Sequence, residues 1–166
     1  MSAVHEEVHE PVFVGAARAR LDALFPKYPT RQACLLPALW IIQEQRGWIS
    51  PAAMAEVAAL LDVTPAFVRG VVTFYTMYHT HPVGRHFIQV CTTSPCHLCG
   101  SDDVVASLLK ETGCRELGAT STDGRFTVTE VECLGACGFA TPILVGDDFI
   151  ENVTPDRVPG ILAGYR

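Results

Sequence analysis

Apolar residues in the first half of the chain recur at helical spacing, and from about Val83 onward they follow strand spacing. Arg18, Leu21, Ala23, Leu24 and Phe25 fit a first short helix that Pro26 and Pro29 stop. Thr30 is placed to cap a second helix through Leu35, Leu36, Leu39, Trp40 and Ile42, with Gly47 ending it and Pro37 as the expected kink. Ser50-Pro51 and Thr64-Pro65 are cap-plus-first-turn pairs: the hydroxyl accepts from free N–H groups, and proline sits where no N–H is missed. Met54, Val57, Ala58 and Leu61 then line one helix, and Val68, Val71, Val72 and Tyr75 the next. The stretch 13–82 therefore reads as a helical bundle.

The chain turns through His79 to Gly84, and Phe87, Ile88 and Val90 lead as a strand straight into Cys91. Ser101 as a cap, Asp102 and Asp103 in a first turn, and Val104, Val105, Leu108 and Leu109 behind them complete a strand-loop-helix unit. Further strands are expected at 126–130, 143–145 and 149–152, with a last helix from Thr154-Pro155 to Leu162. The stretch 83–166 is thus an α/β module with a small sheet, about the content of a thioredoxin-like fold. Residues 1–12 read as a disordered acidic tail carrying Glu6, Glu7 and Glu10.

Composition fits a packed protein: 49% of the 166 residues are hydrophobic and 18% charged. A chain of this length can bury roughly 70% of its unfolded surface, so a metal is not needed merely to rescue a tiny fold. Mean hydropathy of +0.25 suggests some apolar surface for a partner. A net charge of −6 argues against nucleic acid as a partner. No apolar run has the length of a membrane span, and the acidic opening lacks the pattern of a secretory signal, so a cytoplasmic protein is expected.

In a reducing compartment, seven cysteines in short-spaced pairs point to metal or redox chemistry rather than to a disulfide framework. Cys91 and Cys96 have four residues between them, and Cys133 and Cys137 have three. Four thiolates, two per iron, are what a [2Fe-2S] cluster needs. Gly135 can take φ > 0 and let a tight loop wrap an iron, and Gly138 can do likewise. Thr92, Thr93 and Ser94 are candidate donors to sulfur, a contact that raises reduction potential.

Other chemistries use the same residues. The two pairs also suit a Cys₄ zinc site. Cys96-His97-Leu98-Cys99 is a C-x-x-C at a helix start, as in a thioredoxin-like thiol-disulfide oxidoreductase, with Thr141-Pro142 as a candidate cis-proline loop. Cys91, Cys96 and Cys99 spell a plant-type ferredoxin spacing that would take Cys133 as fourth ligand. His97 could serve a Rieske-like site, but no second histidine matches it at the other pair. A helix-turn-helix regulator is disfavoured because Arg69 is the only cation from Pro65 to Tyr78. Cys34 and Cys114 are expected as buried small hydrophobes, and His79, His81 and His86 as surface residues. Trp40, Trp48 and the Phe74-Tyr75-Met77-Tyr78 run are expected in the core or at a partner interface.

Taken together, Leu36-Pro37-Ala38-Leu39, Gln43 to Ile49, Gly70 to Tyr75, Val90 to Cys96 and Val131 to Cys137 resemble one family along nearly the whole chain. It is the NuoE-type thioredoxin-like [2Fe-2S] subunit of respiratory NADH:quinone oxidoreductase, complex I. The resemblance implies an α/β protein, an N-terminal helical bundle followed by a thioredoxin-like [2Fe-2S] ferredoxin domain. It places the cluster on Cys91, Cys96, Cys133 and Cys137, and leaves Cys99 aside. The implied partners are a flavoprotein subunit binding NADH and FMN and further iron–sulfur subunits of a peripheral arm. That arm would lie on the cytoplasmic face of the inner membrane and serve a quinone. Similar subunits serve NAD-reducing hydrogenases and NAD-dependent formate dehydrogenases. Cys99 is an added thiol, and Phe139-Ala140-Thr141-Pro142 replaces a shorter Asn-Ala-Pro that many members carry.

Overall fold

A computed structural model describes residues 10–165. The chain divides between Pro82 and Val83 into two compact units.

The first unit holds α1 (Gly15–Asp22), α2 (Leu35–Arg46), α3 (Pro51–Leu61) and α4 (Pro65–Phe74). Ser50 Oγ accepts from Ala53 N–H at 3.1 Å and Thr64 Oγ1 from Phe67 N–H at 3.2 Å, so both expected caps form. Met54, Val57, Ala58 and Leu61 of α3 and Val68 and Val72 of α4 turn into one core with Leu21, Leu39 and Ile42. Gln43 is buried and bridges backbone across that core. Its Nε2 donates to Met77 C=O at 2.8 Å and its Oε1 accepts from His79 N–H at 2.7 Å. Tyr78 is buried too, and donates through its hydroxyl to Leu36 C=O at 2.9 Å.

Several details differ from the sequence reading. α1 ends at Asp22, and Phe25–Lys27 forms a separate 3₁₀ turn because Pro26 opens it. Another 3₁₀ turn, Gln32–Cys34, precedes α2; Pro37 therefore falls in the first turn of α2, where a missing N–H costs nothing and no kink is needed. Thr30 still accepts from Ala33 N–H at 3.2 Å, but at that turn rather than at α2. Val12, read as part of the tail, is buried, and the N–H groups of Val12 and Phe13 donate to the Glu56 carboxylate at 2.9 and 2.8 Å. The rest of that acidic stretch, residues 1–9, lies outside the described residues.

Among the described residues no single helix is long and apolar enough to cross a membrane; α3 and α4 together have the length and composition but bend by 118°. The α3 residues that make the pair apolar are buried in the helical core.

The second unit contains β1 (His86–Cys91), α5 (Ser94–Leu98), α6 (Ser101–Thr112), β2 (Phe126–Val131), β3 (Ile143–Val145), β4 (Asp148–Ile150) and α7 (Val158–Leu162). The sheet order is β2-β1-β3-β4, with β1 and β2 parallel and the β1/β3 and β3/β4 pairs antiparallel. This is the thioredoxin-like arrangement: a β-α-β crossover through α6, then a hairpin, then a closing helix. Ile88, Val90, Val128 and Ile143 of the sheet pack with Val104 and Leu108 of α6 and Val158 of α7. Gly84 is demanded by close approach, since a Cβ there would lie 2.6 Å from the Phe126 carbonyl carbon.

Three boundaries differ as well. Gly100, at φ +88°, is the cap of α6, and Ser101 is its first helical residue, with Asp102 and Asp103 in the first turn as expected. Asp148–Ile150 forms the last strand, one residue earlier and shorter than expected. The final helix starts at Val158, after turns through Thr154–Arg157. His86 is half-buried against Phe126 and Tyr165 rather than on the surface, because strand β1 carries it under the last residues of the chain. His79 is half-buried too, with its pKa lowered by burial and then by His81.

Candidate metal centre

Because β1 and β2 run parallel, the chain leaves both at the same end of the sheet. Cys91 is the last residue of β1 and is the register partner of Val131, the last residue of β2; Cys133 stands two residues beyond. Both cysteine loops therefore start side by side. Binding loops at the carboxyl ends of parallel strands are the general rule for such sheets.

The loop after β1 winds at once into α5, with Pro95 in its first turn, and this turn swings Cys96 back toward Cys91. Cys96 Sγ donates to Cys91 Sγ at 3.2 Å, and both residues are buried, at 1% and 2% exposure. Two thiolates on one tetrahedral ion with metal–sulfur bonds of about 2.3 Å stand about 3.8 Å apart. The pair is within a small adjustment of that span.

Burial pushes the Cys91 thiol up. Hydrogen bonds from Thr93 N–H, the Cys96 thiol, Leu134 N–H and the Thr93 hydroxyl together outweigh burial and leave Cys91 below the ordinary thiol range. Cys96 moves the other way, to about 12, first through burial, then through its hydrogen bond and charge interaction with Cys91, then through Cys137 and Cys99. Cys91 is thus the more acidic thiol of the pair and Cys96 the less acidic. Of the three hydroxyls expected near sulfur, Thr93 makes the contact, at 3.7 Å from Cys91 Sγ.

The second loop is held by Gly135 at φ +77°, whose N–H donates to Cys133 Sγ at 3.3 Å. A 3₁₀ turn, Cys137–Phe139, follows. Gly135 uses the freedom expected of it, whereas Gly138 keeps an ordinary backbone. Cys133 and Cys137 are exposed, unlike the first pair. Cys137 is nonetheless near enough for its charge to act on Cys96. Among the described residues no three Cys, His, Asp or Glu side chains form a ready cage for a single metal ion.

Two further residues were not legible as part of this region. The hydroxyls of Ser101 and Thr141 are buried without a hydrogen-bond partner. Ser101 follows the first cysteine loop directly, and Thr141 adjoins Pro142, whose C=O accepts from Cys91 N–H at 3.3 Å. The thiol donors of these loops suit a soft metal centre.

Cys99 is exposed at the end of α5, and its charge acts on Cys96 as that of Cys137 does. His97 is engaged by Asp102, Nδ1 to Oδ1 at 3.2 Å, and among the described residues no second histidine joins it in a metal-binding group. Cys34 and Cys114 are buried, as expected of small hydrophobes. The cis peptide of this loop is Ala140–Thr141, one bond before the expected proline. Trp40, Phe74, Tyr75 and Met77 are exposed in the helical unit, while Tyr78 beside them is core.

A family model described as thioredoxin-like [2Fe-2S] ferredoxin matches residues 21–166. The E 2 subunit of NADH-quinone oxidoreductase from Rhizobium meliloti is 39% identical over 149 residues, covering 90% of this chain and 88% of the relative. NADH-quinone oxidoreductase subunit 2 of Thermus thermophilus is 40% identical over 149 residues, covering 88% and 82%. Among solved structures, an NAD⁺-reducing [NiFe]-hydrogenase has a TM-score of 0.66 at 20% identity over 80% of this chain, which spans 22% of that one. The last likeness is one of fold.

Proposed function

The chain belongs to the thioredoxin-like [2Fe-2S] ferredoxin family, and from that premise we propose that it is the electron-transfer subunit of an NADH:quinone oxidoreductase. Cys91, Cys96, Cys133 and Cys137 hold its cluster. The observation that carries this reading is the parallel register of Cys91 with Val131, which brings the two cysteine loops to one end of one sheet. When bound, a [2Fe-2S] cluster accepts and returns one electron. The protein's own part is to hold four thiolates, to donate hydrogen bonds from the Thr93 hydroxyl and from the N–H groups of Thr93 and Leu134, and to keep one pair dry while the other stays exposed.

The electron comes from a flavoprotein subunit that binds NADH and FMN, and the chain sits with further iron–sulfur subunits in an arm on the cytoplasmic face of the inner membrane. The names of relatives at 39% and 40% identity support a place among the subunits of an NADH-quinone oxidoreductase; the partner and the membrane face follow from the family resemblance. An equivalent place in an NAD-reducing hydrogenase is less supported, because that likeness stands at 20% identity. A thiol–disulfide enzyme using Cys96 and Cys99 is disfavoured: Cys96 is buried and its thiol is pushed up to about 12, the reverse of an activated nucleophile.

The test is to purify the chain with its flavoprotein subunit and add NADH anaerobically. Bleaching of the cluster absorption that requires the flavoprotein supports the assignment; a colourless or zinc-loaded chain ends it.

A further inference from the structure

Glu151, Asn152 and Val153 follow β4 and are stitched to the second cysteine loop. Asn152 N–H donates to Phe139 C=O at 2.9 Å, and Val153 N–H donates to Thr141 C=O at 2.9 Å. Phe139 closes the 3₁₀ turn that Cys137 opens, and its own N–H donates back to Ala136 C=O at 2.9 Å. The bond from Asn152 therefore holds the turn that carries Cys137.

Arg157 holds the other edge of the same peptide groups. Its Nη1 donates to Glu151 C=O at 3.0 Å and also to Asn152 C=O. In a trans peptide the C=O and the following N–H point in opposite directions. Glu151 C=O and Asn152 N–H belong to one such unit, Asn152 C=O and Val153 N–H to the next. The guanidinium thus grips one edge of both units while their other edge faces the cysteine loop. Asn152 makes this possible. At φ +53° it is left-handed, which turns successive carbonyls to one side, and asparagine takes that conformation more readily than most residues. A charged donor on a C=O also polarises the peptide and strengthens the bond that its N–H makes. From Phe126 to Asp156 the sequence has no Lys or Arg, so the loop has no cation of its own to replace Arg157.

We propose that Arg157 is a positioning residue for the exposed cysteine pair: through the peptide groups on either side of Asn152 it fixes the turn that presents Cys137. The inference rests on the electron-carrier reading above and adds a residue that acts on the cluster through the backbone.

The experiment follows loss of visible absorption from the full, cluster-loaded chain in excess iron chelator, beside the reduced-state electron spin resonance spectrum. Arg157→Ala should speed the loss about fivefold, the size expected for exposed hydrogen bonds from a charged group. It should also shift or broaden the g values, a signature of altered thiolate geometry that general destabilisation does not produce. Arg157→Lys should recover most of the wild-type rate and spectrum, because one ammonium can donate to both carbonyls as Nη1 does. Asn152→Val should act like Arg157→Ala, because a β-branched residue resists the left-handed backbone, and Asn152→Gly, which keeps that backbone, should not. Arg157→Ala with Asn152→Val should be no worse than either alone, since both break one route. Arg157 is exposed, so no core contact is lost with it, and the urea midpoint of the cluster-free Arg157→Ala chain should match wild type.

Unchanged loss in Arg157→Ala, loss as fast in Arg157→Lys, or effects that add in the double variant would each overturn the proposal and leave the electron-carrier reading intact. A lowered urea midpoint with unchanged g values overturns it in favour of a purely structural role. A wild-type chain that takes up no cluster refutes the electron-carrier reading itself, and the proposal with it.

Discussion

Cys91 and Val131 are register partners at the end of the parallel β1–β2 ladder. This one pairing sets Cys91 level with the start of the loop that carries Cys133 and Cys137, sequence neighbours of neither it nor Cys96.

Serine at any of positions 91, 96, 133 or 137 is expected to remove most of the cluster absorption, because a hydroxyl is a harder and more weakly acidic ligand than a thiol. Cys99→Ser should retain it, since the family resemblance leaves Cys99 aside, although it lies near enough for its charge to act on Cys96. Iron content and visible spectra of the five variants check this. A cluster that survives Cys137→Ser and is lost with Cys99→Ser would select the plant-type ligand set instead.

Gln43→Leu should lower stability by about 3 kcal/mol, because it strips partners from Met77 C=O and His79 N–H together. Urea unfolding of the full chain measures it, and a loss below about 1 kcal/mol would mean that water or another side chain replaces the amide.

Much of this architecture is legible in the sequence because its signals are local. Ser50-Pro51 and Thr64-Pro65 announce their helices, since hydroxyl and proline act within one turn. Strands β1 and β3 follow from short apolar runs, and the cysteine pairs from spacing. Pro37 reads wrongly as a kink because its effect depends on where α2 begins, and the preceding 3₁₀ turn decides that. Ser101 reads wrongly as a cap because Gly100 reaches φ +88° at little cost and takes the position. Long-range placement is beyond local signals: the edge-to-face contact of His86 with Tyr165 and the unpartnered hydroxyls of Ser101 and Thr141 depend on which elements pack together.

Burial, and then Tyr75, push the Tyr78 hydroxyl up to about 12 from the ordinary 10. The folded state therefore binds a proton that the unfolded chain gives up first, so this contribution is complete below about pH 10 and is lost as pH rises toward 12. Tyr78→Phe should flatten stability across that window relative to wild type. It should also cost about 1 kcal/mol at neutral pH through loss of the bond to Leu36. Tyr165 is raised as well, by burial and Asp148, so a smaller slope remains. Unfolding midpoints at stepped pH measure both effects; an unchanged slope in the variant would refute the assignment to Tyr78.

Ser101→Ala should leave the cluster-free protein as stable as before or more so, by up to about 1 kcal/mol, because it deletes a buried hydroxyl that has no partner. Thermal unfolding before and after iron removal tests this, and a clear loss of stability in the cluster-free protein would reveal a partner for that hydroxyl.

The most direct measurement is quantification of iron, acid-labile sulfide and reduced-state electron spin on the full chain purified without oxygen. Roughly two irons and two sulfides per chain, with a one-electron reduced signal near one spin, are expected of a cluster gripped by Cys91, Cys96, Cys133 and Cys137. One zinc per chain with no sulfide and no spin would contradict the account.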